Sequence, residues 1–292
     1  MIIIKLKGGL GNQLFQYALG RKLAIARNVD LKFDRTFYER NSARTYLLDN
    51  FNICGSVASV DQIHKYLKPT NNTLHNFYRH VSEAVIPIQY RNFVLENRFA
   101  YDKNINLVGN DVYLDGYWQT EKFFIDIQKI LTKDLTIKYP LSIEVLSIAK
   151  RIMSDNSISI HIRRGDYAAN PISERMHGVC PISYYRDALE YLCEKIPSPT
   201  AYVFSDDIQW AKKNLILDIP IEYVSGNVSR YVIDDFYLMS LCKHHIIANS
   251  TFSWWGAWLA DNPAKIVIAP SKWFNNSKHD TRDIIPNQWI KM

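Results

Sequence analysis

The strongest constraint on the fold is the order of short apolar segments, loops and helix-like segments at the start of the chain. Residues 2–6 (IIIKL) are apolar and mostly β-branched, which is typical of a buried strand. A glycine-rich loop follows, and residues 13–26 then carry apolar side chains at helical spacing. Residues 29–33 predict a second strand. A strand, tight loop, helix and strand in this order predict a doubly wound α/β fold.

The same pattern begins again at Ser157, which predicts a second domain of this class. We expect strands over 157–164, 201–204, 245–248 and 266–269, and helices over 181–196, 207–215 and 253–260. Residues 113–131 predict a strand, a loop and a helix, whereas residues 35–110 show no legible pattern. We therefore predict an α/β protein with two Rossmann-like domains, residues 1–150 and 151–292, that face an interdomain cleft.

Composition and charge exclude several classes of protein. The net charge of +6 suits an anionic ligand or membrane surface, but no basic stripe with interleaved aromatic residues indicates nucleic-acid binding. We find neither a signal peptide nor an apolar stretch near the ~20 residues that span a bilayer. We therefore expect a soluble, cytoplasmic protein, and leave open whether it is peripheral to the inner membrane and what its oligomeric state is. The four cysteines lack metal-binding spacing, so reduced thiols are expected.

Residues 8–13 (GGLGNQ) are a candidate ligand loop. Glycines allow close approach of the backbone, and the start of the following helix offers N–H groups to a phosphate or a sugar oxygen. A dinucleotide-binding fingerprint would need a third glycine where Leu14 stands, which disfavours an NAD-dependent oxidoreductase. A tight turn without a ligand remains the alternative.

A second candidate site is the polar segment that follows the strand predicted over 157–164. Strand alternation places His161 and Arg163 on one face, and Arg164 on the other. A basic pair at the carboxyl end of a strand lies where α/β folds bind ligands, and the arginine fork suits a diphosphate. Asp166 lies just beyond and could reach a hydroxyl in the cleft. The alternative is an ordinary Arg–Asp salt bridge.

Three further segments complete the set. In residues 204–207 (FSDD), we expect Ser205 or Asp206 to cap the following helix. The chain contains no Asp-x-Asp triplet, which favours metal-free chemistry with arginine in the place of the cation.

Small and hydroxyl residues at 249–253 predict another anion-binding helix start, followed by tryptophans that we expect to be core anchors. Residues 115–119 (DGYWQ) could stack on a sugar ring and bond its hydroxyls, or could be a packed strand end.

Together these segments resemble the bacterial α-1,2-fucosyltransferases of glycosyltransferase family 11, within the superfamily that also holds α-1,6- and protein O-fucosyltransferases. The matching stretches are GGLGNQLFQY (8–17), GYWQ (116–119), HIRRGDY (161–167), FSDD (204–207) and STFSWWGAW (250–258). They occur in the order of the family and extend over most of the chain. The combination is highly specific, although no single piece is.

The resemblance implies a metal-independent, inverting fucosyltransferase with a GT-B fold. GDP-β-L-fucose would be the donor, and the 2-hydroxyl of a β-galactoside, such as a galactose-terminated glycan, would be the acceptor. The first domain would then be the acceptor side and the second the GDP-fucose-binding domain, in a plausible setting of lipopolysaccharide O-antigen synthesis. No other cofactor and no metal are implied. Another linkage, another GDP-sugar, and a GDP-sugar-binding protein without activity remain alternatives.

The resemblance also implies roles for individual residues. Arg163 would bind the β-phosphate, His161 would lie against the nucleotide, and Asp235 would recognise guanine. Asp166 is the candidate general base. The other implied donor-binding residues are Gly11, Asn12, Arg164, Asp206, Ser250, Thr251 and Phe252. The implied acceptor-binding residues are Tyr117, Trp118 and Gln119.

Overall fold

The computed structural model describes residues 1–40, 44–67, 86–165, 174–176, 178–226, 232–275 and 280–292. The chain forms two compact units, one of residues 1–138 and 282–284 and the other of residues 139–281 and 285–292. The boundary that we predicted after residue 150 falls inside the helix Ile143–Ser154. Val145 and Ile152 of that helix are buried with Tyr202 and Phe204 of the second unit, and the second unit therefore begins before the helix.

The first unit is built on a five-stranded parallel sheet in the order β3-β2-β1-β5-β4. Its strands are β1 (Ile2–Lys5), β2 (Leu31–Asp34), β3 (Ser56–Val57), β4 (Phe93–Leu95) and β5 (Val112–Asp115). Its α-helices are α1 (Leu10–Arg27), α2 (Thr36–Arg40), α3 (Val60–Tyr66) and α4 (Gln128–Asp134). The strand order reverses between β1 and β5, and ligands bind at such switch points, outside the carboxyl ends of the strands.

Helix α1 fixes the shape of the loop that precedes it. Gly9 is its extended N-cap residue, and Asn28 ends it in the left-handed conformation, with its N–H bonded to the carbonyl of Ile25. Leu14, Phe15 and Leu19 are fully buried, which holds the helix on the sheet. The helix begins at Leu10, three residues before its predicted start, so the third glycine of the loop, Gly11, lies in its first turn.

The second unit contains a six-stranded parallel sheet in the order β8-β7-β6-β9-β10-β11, the order of a dinucleotide-binding Rossmann sheet. Its strands are β6 (Asn156–Ile162), β7 (Pro199–Ser205), β8 (Ile221–Tyr223), β9 (His244–Ile246), β10 (Val267–Ala269) and β11 (Ile290–Lys291). Its α-helices are α5 (Ile143–Ser154), α6 (Ile182–Cys193), α7 (Ile208–Asn214), α8 (Val232–Leu241) and α9 (Thr251–Leu259). The switch point lies between β6 and β9.

The tryptophans of α9 are core anchors, as predicted. Trp254 and Trp255 are fully buried, and Trp258 is 3% exposed. Trp254 stacks on Trp258 at 6.1 Å between ring centroids and also contacts Trp289 near the end of the chain. These contacts fix the direction of α9, and therefore the direction of its amino terminus.

The structure bears on two expectations for the whole chain, the state of its cysteines and the lack of a membrane-spanning segment. All four cysteines are free, as predicted. Within the described ranges, no helix combines the length and the apolar character needed to cross a bilayer.

Candidate functional site

The polar segments predicted from the second half of the chain meet at one edge of the second sheet. Arg163 follows the end of β6, Asp206 follows β7, and Ser250 follows β9. All of the strands in this sheet are parallel, so these residues lie at its carboxyl edge, around the switch point. The sheet thus brings together segments that are about 40 residues apart in sequence.

Asp206 holds the segment after β6 in place. Its Oδ2 lies 2.9 Å from Nη1 of Arg163, with both side chains 24% exposed. Its Oδ1 accepts a hydrogen bond of 2.8 Å from the backbone N–H of Arg164. A Cβ at Gly165 would lie 2.6 Å from Asp206 Oδ2, so a larger residue there would displace this carboxylate. Arg163 is thus paired with Asp206, and this pair orients the arginine.

The cap of α7 differs from our prediction. Asp207 caps this helix by accepting a 3.1 Å hydrogen bond from the N–H of Trp210, whereas Asp206 bonds to the arginine segment. Ser205 Oγ accepts from the N–H of Asp207 at 3.0 Å and so supports the turn before the helix. The prediction of Ser205 or Asp206 as the cap was wrong because the helix begins at Ile208, one residue later than we assumed.

The side chain of Arg164 packs against helix α7, whereas that of Arg163 pairs with Asp206. Its guanidinium carbon lies 3.9 Å from the ring centroid of Trp210, and its Nε lies 3.9 Å from an oxygen of Asp207. This is a cation–π contact, which places the charge of Arg164 against α7. A role for Arg164 in donor binding stays a prediction.

His161 and Phe252, predicted separately from two segments, are in contact. Their ring centroids are 5.5 Å apart, and Phe252 also contacts Phe236 of α8 at 5.7 Å. Burial holds the pKa of His161 well below its ordinary value, assisted by the charge of Arg163 and opposed by Asp206. The imidazole is therefore neutral at physiological pH, and the positive charge at this edge comes from arginine.

The start of α9 lies beside these rings. Ser250 is its extended N-cap residue, and Thr251 is the first helical residue. The first N–H groups of any helix lack acceptors within the helix, and together with the helix dipole they attract anions. The side chain of Ser250 makes no capping hydrogen bond. The predicted anion-binding helix start is therefore present in geometry, next to the segment that carries Arg163.

Asp235 lies in the first turn of α8 and is linked to the end of β7. Its Oδ2 accepts a 2.6 Å hydrogen bond from Ser225 Oγ, which in turn accepts one of 3.0 Å from the N–H of Ser205. Sequence reasoning missed Ser225, because its role depends on the position of β8 beside β7 and no local pattern marks it.

In the first unit, the glycine loop and residues 116–119 meet at the switch point between β1 and β5. Gly8 has φ of +81°, and a Cβ there would lie 2.4 Å from Asn12 Nδ2. The side-chain oxygen of Asn12 accepts a 2.9 Å hydrogen bond from Gln119 Nε2. A predicted donor-binding residue and a predicted acceptor-binding residue are thus neighbours, and Gly11 is buried in the first turn of α1 beside Asn12.

The aromatic residues of this loop differ in exposure. Trp118 is only 3% exposed and packs edge-on against Phe123, so its ring is not an open sugar platform. Tyr117 is half-buried, stacks on Phe99 and lies 4.7 Å from Lys7 Nζ. Trp118 Nε1 and Gln119 Oε1 are buried without a hydrogen-bond partner among the described residues. The hydrogen-bonding capacity of these two buried atoms is therefore unused in this geometry.

Both carboxylate oxygens of Asp115 are already hydrogen-bonded within the protein. Its two oxygens accept hydrogen bonds of 2.7 Å from Lys5 Nζ and Lys7 Nζ. Burial alone would raise the pKa of Asp115, but the two ammonium groups outweigh it and hold that pKa below its ordinary value. Asp115 therefore pairs with two lysines at once.

Glu96 is the principal residue that sequence reasoning missed in this unit. It follows β4, and its two carboxylate oxygens accept hydrogen bonds from the N–H groups of Tyr117 (2.6 Å) and Trp118 (2.9 Å). Burial raises the pKa of Glu96 to about 7, although these N–H groups and Lys7 oppose the shift. Glu96 lies in the stretch that has no legible pattern, so no local signal could have found it.

Two expectations from the sequence concern the general base and the absence of a metal. Asp166, the candidate base, lies outside the described residues. In the part of the chain that the structure describes, no three His, Cys, Asp or Glu side chains are grouped as a metal site would require. Metal independence stays a prediction.

Comparisons with known proteins agree with the geometry. Residues 1–292 match the family described as Glycosyl transferase family 11. The chain is 33% identical over 299 residues to the alpha-1,2-colitosyltransferase of Escherichia coli, covering 100% of this chain and 99% of the relative. It is 34% identical over 314 residues to the O-antigen biosynthesis glycosyltransferase WbnK of Escherichia coli, covering 98% and 99%. The fold resembles that of a GDP-bound mutant of FUT1 from Arabidopsis thaliana, with a TM-score of 0.52, 13% identity and coverage of 91% and 69%.

Proposed function

Because the chain belongs to glycosyl transferase family 11, we propose that it transfers L-fucose from GDP-β-L-fucose to the 2-hydroxyl of a β-galactoside. The resemblance predicted from the five motifs is confirmed, and so is an α/β fold with two parallel sheets. One observation carries the proposal for the donor. Arg163 and the amino terminus of α9 flank the switch point of a sheet with the strand order of dinucleotide-binding folds.

The chemistry at this edge suits a diphosphate leaving group. As the bond from the sugar to GDP breaks, negative charge grows on the β-phosphate. The guanidinium of Arg163, already oriented by Asp206, and the N–H groups of α9 are preorganised donors for that charge. Removal of one donor of this kind commonly costs about 3–4 kcal/mol of transition-state stabilisation. Neutral His161 and Phe252 would line the nucleotide, and Asp235 would bind the guanine.

The acceptor side is assigned to the first unit. Trp118 Nε1 and Gln119 Oε1 offer a donor and an acceptor for sugar hydroxyls, and Tyr117 offers a partly exposed ring. The acceptor hydroxyl attacks C1 from the face opposite to GDP, which inverts that centre. Asp166 remains the proposed base, for which general-base assistance of about 100- to 10,000-fold is typical.

A second donor is favoured by a specific observation. The E. coli relative with 33% identity is named an alpha-1,2-colitosyltransferase. Colitose is L-fucose without its 3-hydroxyl, so the phosphate chemistry described above serves either sugar. The name of WbnK supports a role in O-antigen synthesis for this chain as well. The cytoplasmic location stays a prediction from sequence.

A panel of donors and acceptors tests the proposal. The purified protein is incubated with GDP-fucose, GDP-colitose, GDP-mannose or UDP-galactose, each with lactose or N-acetyllactosamine, with and without EDTA. We expect transfer from GDP-fucose that EDTA does not change, and an α-1,2 linkage in the product by NMR. Faster transfer from GDP-colitose than from GDP-fucose would identify GDP-colitose as the donor. Binding of GDP-fucose without turnover would favour a binding protein, and loss of activity in EDTA would contradict metal-free chemistry.

A further inference from the structure

Two successive backbone N–H groups of the loop at residues 116–119 bond to one carboxylate. Glu96 extends from the end of β4 to the neighbouring β5, where its two oxygens accept the successive N–H groups of Tyr117 and Trp118. The distances of 2.6 and 2.9 Å are those of charge-assisted hydrogen bonds. Both oxygens are therefore used to hold one short stretch of backbone.

The backbone at this point has an unfavourable conformation that the carboxylate helps to maintain. Trp118 has φ of +58°, in the left-handed region that a bulky side chain rarely adopts. A Cβ at Gly116 would lie 2.4 Å from the Cβ of Glu96 and 2.9 Å from its Oε2, so only glycine permits the approach. Such strain persists where the surroundings hold it, and it is concentrated at functional sites.

The same loop carries two buried polar atoms whose hydrogen-bonding capacity is unused among the described residues. Trp118 Nε1 and Gln119 Oε1 have no partner among the described residues, and each side chain is at most 5% exposed. The amide nitrogen of Gln119 is fixed by Asn12 at 2.9 Å, which orients its oxygen. Their positions depend on the backbone that Glu96 holds.

We propose that Glu96 is a positioning residue for acceptor binding, whose carboxylate fixes residues 116–119 so that Trp118 and Gln119 can bind the acceptor hydroxyls. This inference rests on the proposed function. Glu96 does not itself contact the sugar in this scheme. It acts through the two N–H groups that it accepts.

The proposal has a consequence for the dependence on pH. A carboxylate accepts from both N–H groups, whereas a protonated carboxyl has lost acceptor capacity on one oxygen. The charged groups that act on Glu96 are Lys7, which favours its ionised form, and Asp115, which disfavours it. Asp115 is itself paired with Lys5 and Lys7. Acceptor binding should therefore weaken as the pH falls through about 7, the pKa of Glu96.

The first test compares Glu96→Gln with Glu39→Gln, an exposed carboxylate of α2 in the same unit. We expect Glu96→Gln to raise the KM for lactose, and its dissociation constant by calorimetry, by about tenfold, as expected for loss of ~1.4 kcal/mol. The affinity for GDP should stay unchanged in both variants. The wild-type KM for lactose should rise below pH 7, and that of Glu96→Gln should not. If the lactose affinity of Glu96→Gln is the same as that of the wild type, the inference about Glu96 is wrong. The proposed function is tested separately, by whether the wild type transfers fucose.

The second test needs no variant and no turnover. The amide proton shifts of Tyr117 and Trp118 are followed by NMR in the wild-type protein between pH 5 and 9. We expect both to titrate together with a midpoint near 7, because both protons bond to the same carboxylate. Shifts that do not change with pH would show that Glu96 keeps one protonation state over this range, and would overturn the predicted weakening of lactose binding below pH 7. If both amides titrate and lactose binds, but the protein transfers no sugar from any donor, then the proposed function is wrong and the inference about Glu96 is not.

Discussion

Asp206 fixes both the side chain of Arg163 and the backbone that follows it. Its two oxygens bond to the side chain of Arg163 and to the backbone of Arg164, so the segment after β6 is fixed before any ligand arrives. A guanidinium carries several N–H donors, and pairing with one carboxylate oxygen is compatible with binding a phosphate as well. The partial exposure of the pair, 24% for each side chain, keeps the arginine within reach of a ligand.

The proposed role of Arg163 predicts the effect of its replacement. Arg163→Ala should lower kcat by about 100- to 1000-fold, because a preorganised donor to the leaving phosphate is lost. Arg163→Lys should fall between this variant and the wild type, since lysine keeps the charge but not the planar fork. Steady-state kinetics with GDP-fucose and lactose measures both effects.

A matched control separates this effect from the general loss of a surface charge. Arg151 of α5 pairs with Glu222 and is about half exposed, so Arg151→Ala should leave kcat unchanged. Near wild-type turnover in Arg163→Ala would show that the arginine does not stabilise the leaving group.

At the scale of elements, strands and helices with a strong local pattern were predictable. The buried alternation of β6 and the apolar spacing of α1 and α6 identified these elements to within three residues at each end. Strands β3 and β11 have two residues each, which is too short for a detectable pattern. Helix α8 has two acidic residues, Asp234 and Asp235, in the first turn of an otherwise mostly apolar run, so its apolar side chains do not mark a clear helical face.

The candidate site shows the same division between local and non-local information. The loops that carry Arg163, Gln119 and Ser250 were recognisable because each follows a strand. Glu96 and Ser225 were not, because their roles arise from strand pairs, β4 with β5 and β7 with β8. Such pairs depend on the strand order of the whole sheet.

The start of α1 gives a prediction at the scale of an element. Gly8→Ala would place a Cβ 2.4 Å from Asn12 Nδ2 in a backbone with φ of +81°. We expect a loss of stability of about 1 kcal/mol or more from the left-handed conformation, and a larger loss of activity because Asn12 is displaced from Gln119. Thermal unfolding and the KM for lactose report the two effects.

Gly226→Ala is the control for backbone strain. It has φ of +72°, but its Cβ would meet nothing closer than 3.9 Å. It should lose a similar amount of stability without a change in the KM for lactose. An equal change in KM in both variants would show that strain, and not the displacement of Asn12, affects the acceptor.

At the scale of the whole molecule, the stability of the protein depends on Glu96, an ionisable group of the first unit. Burial of this side chain disfavours its charged form. Glu96 is largely buried, with Lys7 and Asp115 near enough to act on its charge, and its pKa is raised to about 7. Ionisation of Glu96 therefore costs folding stability, while the ionised carboxylate is the form that accepts both loop N–H groups. Sites of function commonly retain such a cost.

This cost predicts how the stability of the protein depends on pH. Between the ordinary value of 4.5 and about 7, folded Glu96 holds a proton that the unfolded chain has lost. Its contribution to the free energy of unfolding therefore decreases as the pH rises through this window, by at most about 3 kcal/mol. Buried His161 and His245 have lowered pKa values and act in the opposite direction up to pH 6.5.

The histidine terms cancel in a comparison of the wild type with Glu96→Gln, which isolates the carboxyl. Denaturant unfolding at pH 5, 6, 7 and 8 should show the stability of the wild type falling relative to the variant as the pH rises. Asp111 and Asp115, whose pKa values are lowered from 3.8, act below this window and do not affect the comparison. A difference that stays constant from pH 5 to 8 would mean that Glu96 titrates at its ordinary pKa, and that the loop is not held by a carboxylate poised near neutrality.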